Sequence, residues 1–154
     1  MANHGIALVT GAARRIGRVI ALSLARHGWD VAVHYRFSES EAMATAEDIR
    51  KLGRRSVALH CDLTDEEAVN RLLQRVEDSL GKPSCLVNNA SVFEHDSVTD
   101  FSAHSLDFHM RTNLTAPVLL SRALHTMTPE GSQSVVVNLL DQKLDNLNPS
   151  FLSY

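Results

Sequence analysis

The sequence predicts an α/β fold built on a parallel sheet, and three observations carry that prediction. Short β-branched apolar runs alternate with helical segments along the chain. The runs are continuously apolar, as strands covered on both faces are. Glycine follows the helical segments where left-handed C-terminal caps belong. Parallel β-α-β units satisfy this pattern most economically.

The elements follow in order. "IALVT" at 6–10 reads as the first strand and breaks at Gly11. Residues 16–27 place Ile16, Val19, Ile20, Leu24 and His27 near one helical face, and Gly28 closes the helix. "VAVHY" at 31–35 is a strand, 38–52 a helix closed by Gly53, 56–61 a strand, and 64–80 a helix closed by Gly81. Ser38 with Glu41, and Thr64 with Glu67, have capping-box spacing at the starts of those two helices. "SCLVNNA" at 84–90 gives the fourth strand, 103–127 one long helix, and "SQSVVVNLL" at 132–140 the fifth strand.

With 154 residues, 44% apolar and 21% charged, the chain suits one core, and residues 1–154 read as a single domain. A formal charge of -3 gives no bulk attraction to nucleic acid or anionic membrane. Cys61 and Cys85 lack metal-ligand or CxxC spacing and read as buried thiols. Residues 1–10 show no basic leader, and no run approaches the roughly 18 apolar residues of a membrane span, so a cytoplasmic location is expected. The eight histidines show no HExxH pattern. His95, His104 and His109 are taken as surface or packing residues, and no metal is expected.

The chemistry begins at "TGAARRIG", where Gly11 follows a strand and Gly17 lies inside a helix start. Such a turn presents free backbone N–H groups and a positive helix end to phosphate. Roughly twenty residues on, where an NAD site places a carboxylate for the ribose, stand Tyr35 and Arg36. Arg14 and Arg15 of the turn, Arg36 and Ser38 can converge on a 2′-phosphate, which predicts NADPH over NADH. Read one by one, the same arginines are also compatible with solvated loop charges.

"TGAARRIG", "CDL" at 61–63, "NNAS" at 88–91, Asn113 and Tyr154 resemble, in order and spacing, the short-chain dehydrogenase/reductase superfamily, and within it the pteridine reductases. The likeness runs from Ile6 to Tyr154. It implies a Rossmann-type, doubly wound, three-layer sheet, of which this chain would supply five strands of the family's usual seven. It also implies cofactor contacts from Gly11, Ile16, Gly17, Asp62, Leu63, Asn89 and Ala90, with Asn88 to Ala90 forming a wall beneath the dinucleotide. Asn113 would hold a water of the proton relay, and Tyr154 would be the general acid.

Two departures point to the pteridine branch. Asp141 stands where the superfamily usually has serine, and Ser91 where glycine is commoner. The resemblance gives Asp141 a proton-relay role beside Tyr154, and makes Phe93 the aromatic that sandwiches a pterin against nicotinamide. From the residues alone, Phe93 also suits core packing and Asp141 a loop cap. Arg15 replaces the superfamily's middle glycine, where pteridine reductases often carry a basic residue. The substrate implied is a pterin; a carbonyl or 3-oxoacyl thioester reductase, or a catalytically silent dinucleotide-binding fragment, are the alternatives.

The family's lysine, four positions after the tyrosine, would fall beyond Tyr154. The chain is therefore expected to be the N-terminal, cofactor-binding part of a longer enzyme that forms a homo-oligomer, a tetramer in the family. The fifth strand is expected to be an exposed edge.

Overall fold

The computed structural model describes residues 4–142, 145 and 147–154. Strands β1 Gly5–Val9, β2 Trp29–Tyr35, β3 Ser56–His60, β4 Cys85–Asn88 and β5 Val135–Asn138 form one parallel sheet in the order β3-β2-β1-β4-β5. Helices α1 Arg15–Arg26, α2 Glu39–Lys51, α3 Glu66–Leu80, α4 Ala103–Met110 and α5 Ala116–Met127 connect them.

Alternate residues of β1 serve opposite layers. Ile6 and Leu8 pack with Leu72, Leu73 and Val76 of α3 and with Leu120 and Leu124 of α5. Ala7 and Val9 pack with Ala21 and Leu22 of α1 and with Ala46 and Ile49 of α2. Covering both faces is why the strand runs are apolar throughout. Each buried leucine contributes about 1.5–3 kcal/mol, so Leu8→Ala would damage the centre of the sheet most. Cys61 and Cys85 are buried free thiols, as their apolar neighbours predict.

The chain steps from β1 outward to β2 and β3, then returns to the other side of β1 for β4 and β5. Parallel pairing puts all five C-terminal strand ends on one edge, and the reversal between β1 and β4 opens a crevice there.

Several local expectations are corrected. The side chain that caps α3 is Asp65, which accepts the Ala68 N–H at 3.1 Å, while the Thr64 hydroxyl donates to Asp62 at 2.8 Å. Asp62 competes successfully for Thr64, so the Thr64/Glu67 box does not form. Ser38 occupies the N-cap of α2 but makes no side-chain cap bond, and Glu41 instead accepts from Ser40 at 3.0 Å. The long helix over 103–127 is divided into α4 and α5 by a π-helical turn, Arg111–Thr115, centred on Asn113. β5 is an outer strand with all four residues exposed. Among the described residues, no helix is long and apolar enough to cross a membrane.

Candidate functional site

The crevice begins at the turn from β1 to α1. Gly11 has φ 62, and a Cβ there would lie 3.1 Å from the Ala90 Cα. A Cβ on Gly17 would lie 2.3 Å from the Gly11 carbonyl oxygen, so glycine is what lets the helix seat against the turn. Arg15 has φ 54, a left-handed conformation that an L side chain adopts at a cost. The first turn of α1 has N–H groups without intrahelical partners, and its residues line the crevice.

Not every N–H of the turn is free, however. Gly11 N–H donates to His34 Nδ1 at 3.0 Å, and Ala12 N–H donates to the His34 carbonyl at 2.9 Å. The anion-facing donors therefore start further along, at the beginning of α1, which corrects a simple reading of the whole turn as open.

Across the switch point, Thr10 fastens the wall. Its hydroxyl oxygen accepts the N–H groups of Asn89 and Ala90 at 2.9 and 3.0 Å, and Asn89 Nδ2 donates to the Thr10 carbonyl at 2.8 Å. Asn89 and Ala90 thus lie directly beside Gly11.

At the β2 end, Arg36 pairs with Asp62 at 2.9 Å. Its guanidinium carbon lies 4.5 Å from the ring centre of Phe37 and 5.2 Å from that of Phe108. Arg36 Nε is buried and has no hydrogen-bond partner among the described residues. Burial pushes the Asp62 carboxyl up, but the Thr64 N–H and hydroxyl and the Arg36 guanidinium outweigh it and hold it below its ordinary value. It therefore stays ionised and holds Arg36 in place. Tyr35 is turned to α2, donating to Glu39 at 3.2 Å.

At the β4 and β5 ends, Tyr154 Oη donates to Asp141 Oδ2 at 3.2 Å. Burial raises the Tyr154 pKa, a hydrogen bond with Ser91 lowers it, and the charge and hydrogen bond of Asp141 raise it again; the net direction is up. Phe93 meets the Tyr154 ring edge-on, with centroids 4.7 Å apart. One face of Phe93 is stacked on Phe151 at 4.1 Å and 10°. That face is occupied by the protein's own ring.

With the exceptions of Asn88, which is buried and donates to Asn138 at 2.8 Å, and of Asn113, every residue assigned above to cofactor, substrate or proton transfer lines one open cleft of about 840 Å³, a size suited to a dinucleotide and a small partner. Asn113 stands behind the wall. It clasps the backbone of Val92, accepting its N–H and donating to its carbonyl, both at 2.8 Å. The π-turn is what aims the amide there. Among the described residues, no group of three or more His, Cys, Asp or Glu is placed to hold a metal ion.

Four features escaped the sequence reading. Phe37 and Phe108 bracket Arg36; adjacency signals the first, and nothing local signals the second. His34 ties the turn to β3, and a histidine inside an otherwise apolar strand was the available signal. Asp96 fastens the segment before Tyr154: its carboxylate accepts from Ser153 N at 3.0 Å, from the Ser153 hydroxyl, and from Ser105 Oγ at 2.9 Å. This contact joins residues 57 positions apart, beyond any local pattern.

The family model described as short chain dehydrogenase matches residues 5–154. The chain is 38% identical over 108 residues to the 3-oxoacyl-[acyl-carrier-protein] reductase FabG of Staphylococcus aureus, covering 70% of this chain and 44% of that protein. It is also 38% identical over 102 residues to the short-chain dehydrogenase/reductase homolog YusS of Bacillus subtilis, covering 66% of this chain and 94% of that protein. Among solved structures, FolM alternative dihydrofolate reductase 1 from Brucella suis, in complex with NADP, superposes with a TM-score of 0.92 and 38% identity, over 97% of this chain and 62% of FolM. The chain thus spans less than two thirds of FabG and of FolM. The parallel sheet, its switch-point crevice and these matches together make the chain a member of the short-chain dehydrogenase family.

Proposed function

We propose that this chain carries the NADPH site and the proton donor of a short-chain reductase whose substrate is a pterin. The observation that carries the proposal is the layout of the cleft. Arg14, Arg15, Arg36 and Ser38 line one end, and the Asp141–Tyr154 pair beside Phe93 lines the other. FolM, solved with NADP, supports both halves of the reading.

When bound, NADPH supplies a hydride. The chain's own residues do the rest. Arg36, held by Asp62, and Arg15 bind the 2′-phosphate; the first turn of α1 receives the pyrophosphate. Asp62 and Leu63 flank the adenine, and Asn89 and Ala90 support the dinucleotide from beneath. Ile16 and Gly17 keep the helix start close to it. Phe93 offers a stacking face to a flat heterocycle, and Ser91 steadies the Tyr154 hydroxyl. Tyr154 donates the proton to the reduced bond, with Asp141 accepting the N–H or amine donors that a 2-amino-4-oxo ring presents.

A second reading is supported by the direction of the Tyr154 shift. A phenol raised above its ordinary value of about 10 is a weaker acid, which suits dinucleotide binding without turnover. Assembly as a homo-oligomer is supported by Leu106, Met110, Leu114 and Val118, exposed apolar residues at four-residue spacing along α4, the π-turn and α5.

The test uses the purified chain. NADPH is expected to bind at least tenfold tighter than NADH, and dihydrobiopterin or dihydrofolate to be reduced in preference to an acetoacetyl thioester. Binding without reduction selects the silent reading. Preference for the thioester replaces the pterin with a 3-oxoacyl substrate, and equal affinity for the two dinucleotides removes the phosphate assignment.

A further inference from the structure

His34 belongs to none of the roles assigned above, yet it sits at the centre of the crevice. It lies near the C-terminal end of β2 and is buried, and its ring spans two loops. Nδ1 is 3.0 Å from Gly11 N, and Nε2 is 3.0 Å from the Cys61 carbonyl oxygen. A backbone N–H only donates and a carbonyl only accepts, so the two contacts together specify one tautomer: neutral, with the proton on Nε2. The residue's own carbonyl takes the Ala12 N–H at 2.9 Å. Three hydrogen bonds from one residue thus fix the β1–α1 turn to β2 and to the end of β3.

We infer that His34 is a positioning residue for the phosphate-binding turn, taking the Gly11 N–H with a neutral imidazole so that the next free N–H groups, those of the first turn of α1, meet the dinucleotide's pyrophosphate. The inference rests on the NADPH reading given above.

The physical argument is one of competition. A glycine at φ 62 has freedom to pivot, and its N–H is the next one after that of Thr10, which the Val87 carbonyl takes at 3.0 Å. Left unpaired, it would turn toward whatever acceptor the cleft offered, and the peptide planes after it would turn too. Bonded to His34, it is withdrawn, and the direction of the chain into Arg15 is set. A protonated ring could not do this, since both nitrogens would then be donors and one would oppose the Gly11 N–H. Burial suppresses that state, pushing the imidazole down to about 4.

Two substitutions separate the bonds. Asparagine can place Oδ1 near the position of Nδ1 and keep an acceptor for Gly11. Glutamine can place its amide near Nε2 and keep a donor for Cys61, while leaving Gly11 without its acceptor. In the full 154-residue chain, His34→Asn is expected to bind NADPH within about threefold of the parent. His34→Gln is expected to bind at least tenfold more weakly, with accelerated exchange of the Gly11 amide. Side-chain ¹⁵N shifts of the parent should show protonated Nε2 and bare Nδ1.

A residue that only stabilises the fold would lower the melting temperature in both variants and leave both affinities alike; that result overturns the inference. So does a parent tautomer protonated on Nδ1, whatever NADPH does. Should His34→Gln not fold, a tenfold loss in His34→Asn with its Gly11 amide still protected overturns it equally, and retained affinity in that variant supports it. If the parent itself fails to bind NADPH, the functional reading falls first and this inference with it, which the tautomer measurement distinguishes from a failure of the geometry.

Discussion

At the scale of single residues, Arg15 shows how a site accepts backbone strain. Its φ of 54 lies in the left-handed region that favours glycine. An arginine in that conformation costs about 1–2 kcal/mol, while glycine brings back about 0.5–1 kcal/mol of unfolded-chain entropy. Arg15→Gly is therefore expected to leave stability unchanged or to raise it by up to about 1.5 kcal/mol. If the side chain binds the 2′-phosphate, the same change removes a charge-assisted hydrogen bond of about 1.5–3 kcal/mol, roughly a tenfold to hundredfold loss of NADPH affinity with NADH unaffected. Titration calorimetry with both dinucleotides checks this, and a parallel loss for NADH would assign Arg15 to the pyrophosphate instead. The Tyr154–Asp141 pair gives a second residue-scale prediction. Asp141 raises the phenol by charge and by hydrogen bonding, so Asp141→Asn should shift the Tyr154 titration midpoint down. Ultraviolet titration in a Tyr35→Phe background isolates the signal, because Tyr35 and Tyr154 are the two tyrosines of the chain. A midpoint that stays in place would show that burial alone sets the shift.

At the scale of elements, the informative piece is the π-turn between α4 and α5. Without it, a regular helix would rotate the Asn113 amide relative to the loop after β4. With it, the amide pairs both backbone groups of Val92 and shapes the stretch from Ser91 to Phe93. Asn113→Ala leaves that N–H and carbonyl without their partners and is expected to cost about 2 kcal/mol. The urea midpoint measures the loss; an unchanged midpoint would mean that water replaces the amide without penalty. This same element marks where the sequence ceased to be legible. Strands and helices followed from runs of Val, Leu and Ala, and the turn glycines announced the crevice. The cap of α3 did not follow, because Asp62 captured Thr64 and passed the role to Asp65, a competition between neighbours that spacing does not reveal. The π-turn has no periodic signature, and the Arg36–Phe108 and Asp96–Ser153 contacts exist only once the chain has returned across the sheet.

At the scale of the whole molecule, acid stability separates into two pH windows. His34 is buried near the C-terminal end of β2, and its folded pKa is pushed down from 6.5 to about 4, mainly by burial. The Cys61 carbonyl and the Asp62 charge oppose that shift, while the charges of His60 and Arg75 add to it. Between those two values the unfolded chain binds a proton that the folded chain does not. Stability conferred by the neutral ring is therefore full above pH 6.5 and declines as pH falls toward 4, by on the order of 3 kcal/mol in total. The lowered carboxyls Asp30 and Asp62 act in the other window. Their stabilisation is present above the ordinary carboxylate value of 3.8 and is lost only as pH falls below it through their depressed folded values. Urea unfolding at a series of pH values should thus show a first decline between pH 6.5 and 4 and a second below 3.8. His34→Asn, which has no titrating ring, should flatten the first decline and keep the second. A first decline of equal size in that variant would remove His34 as its source. The separation follows from architecture: the imidazole lies inside the doubly wound sheet, where water cannot compensate its charge, whereas Asp62 meets Arg36 at the rim of the crevice, where the charge has a partner.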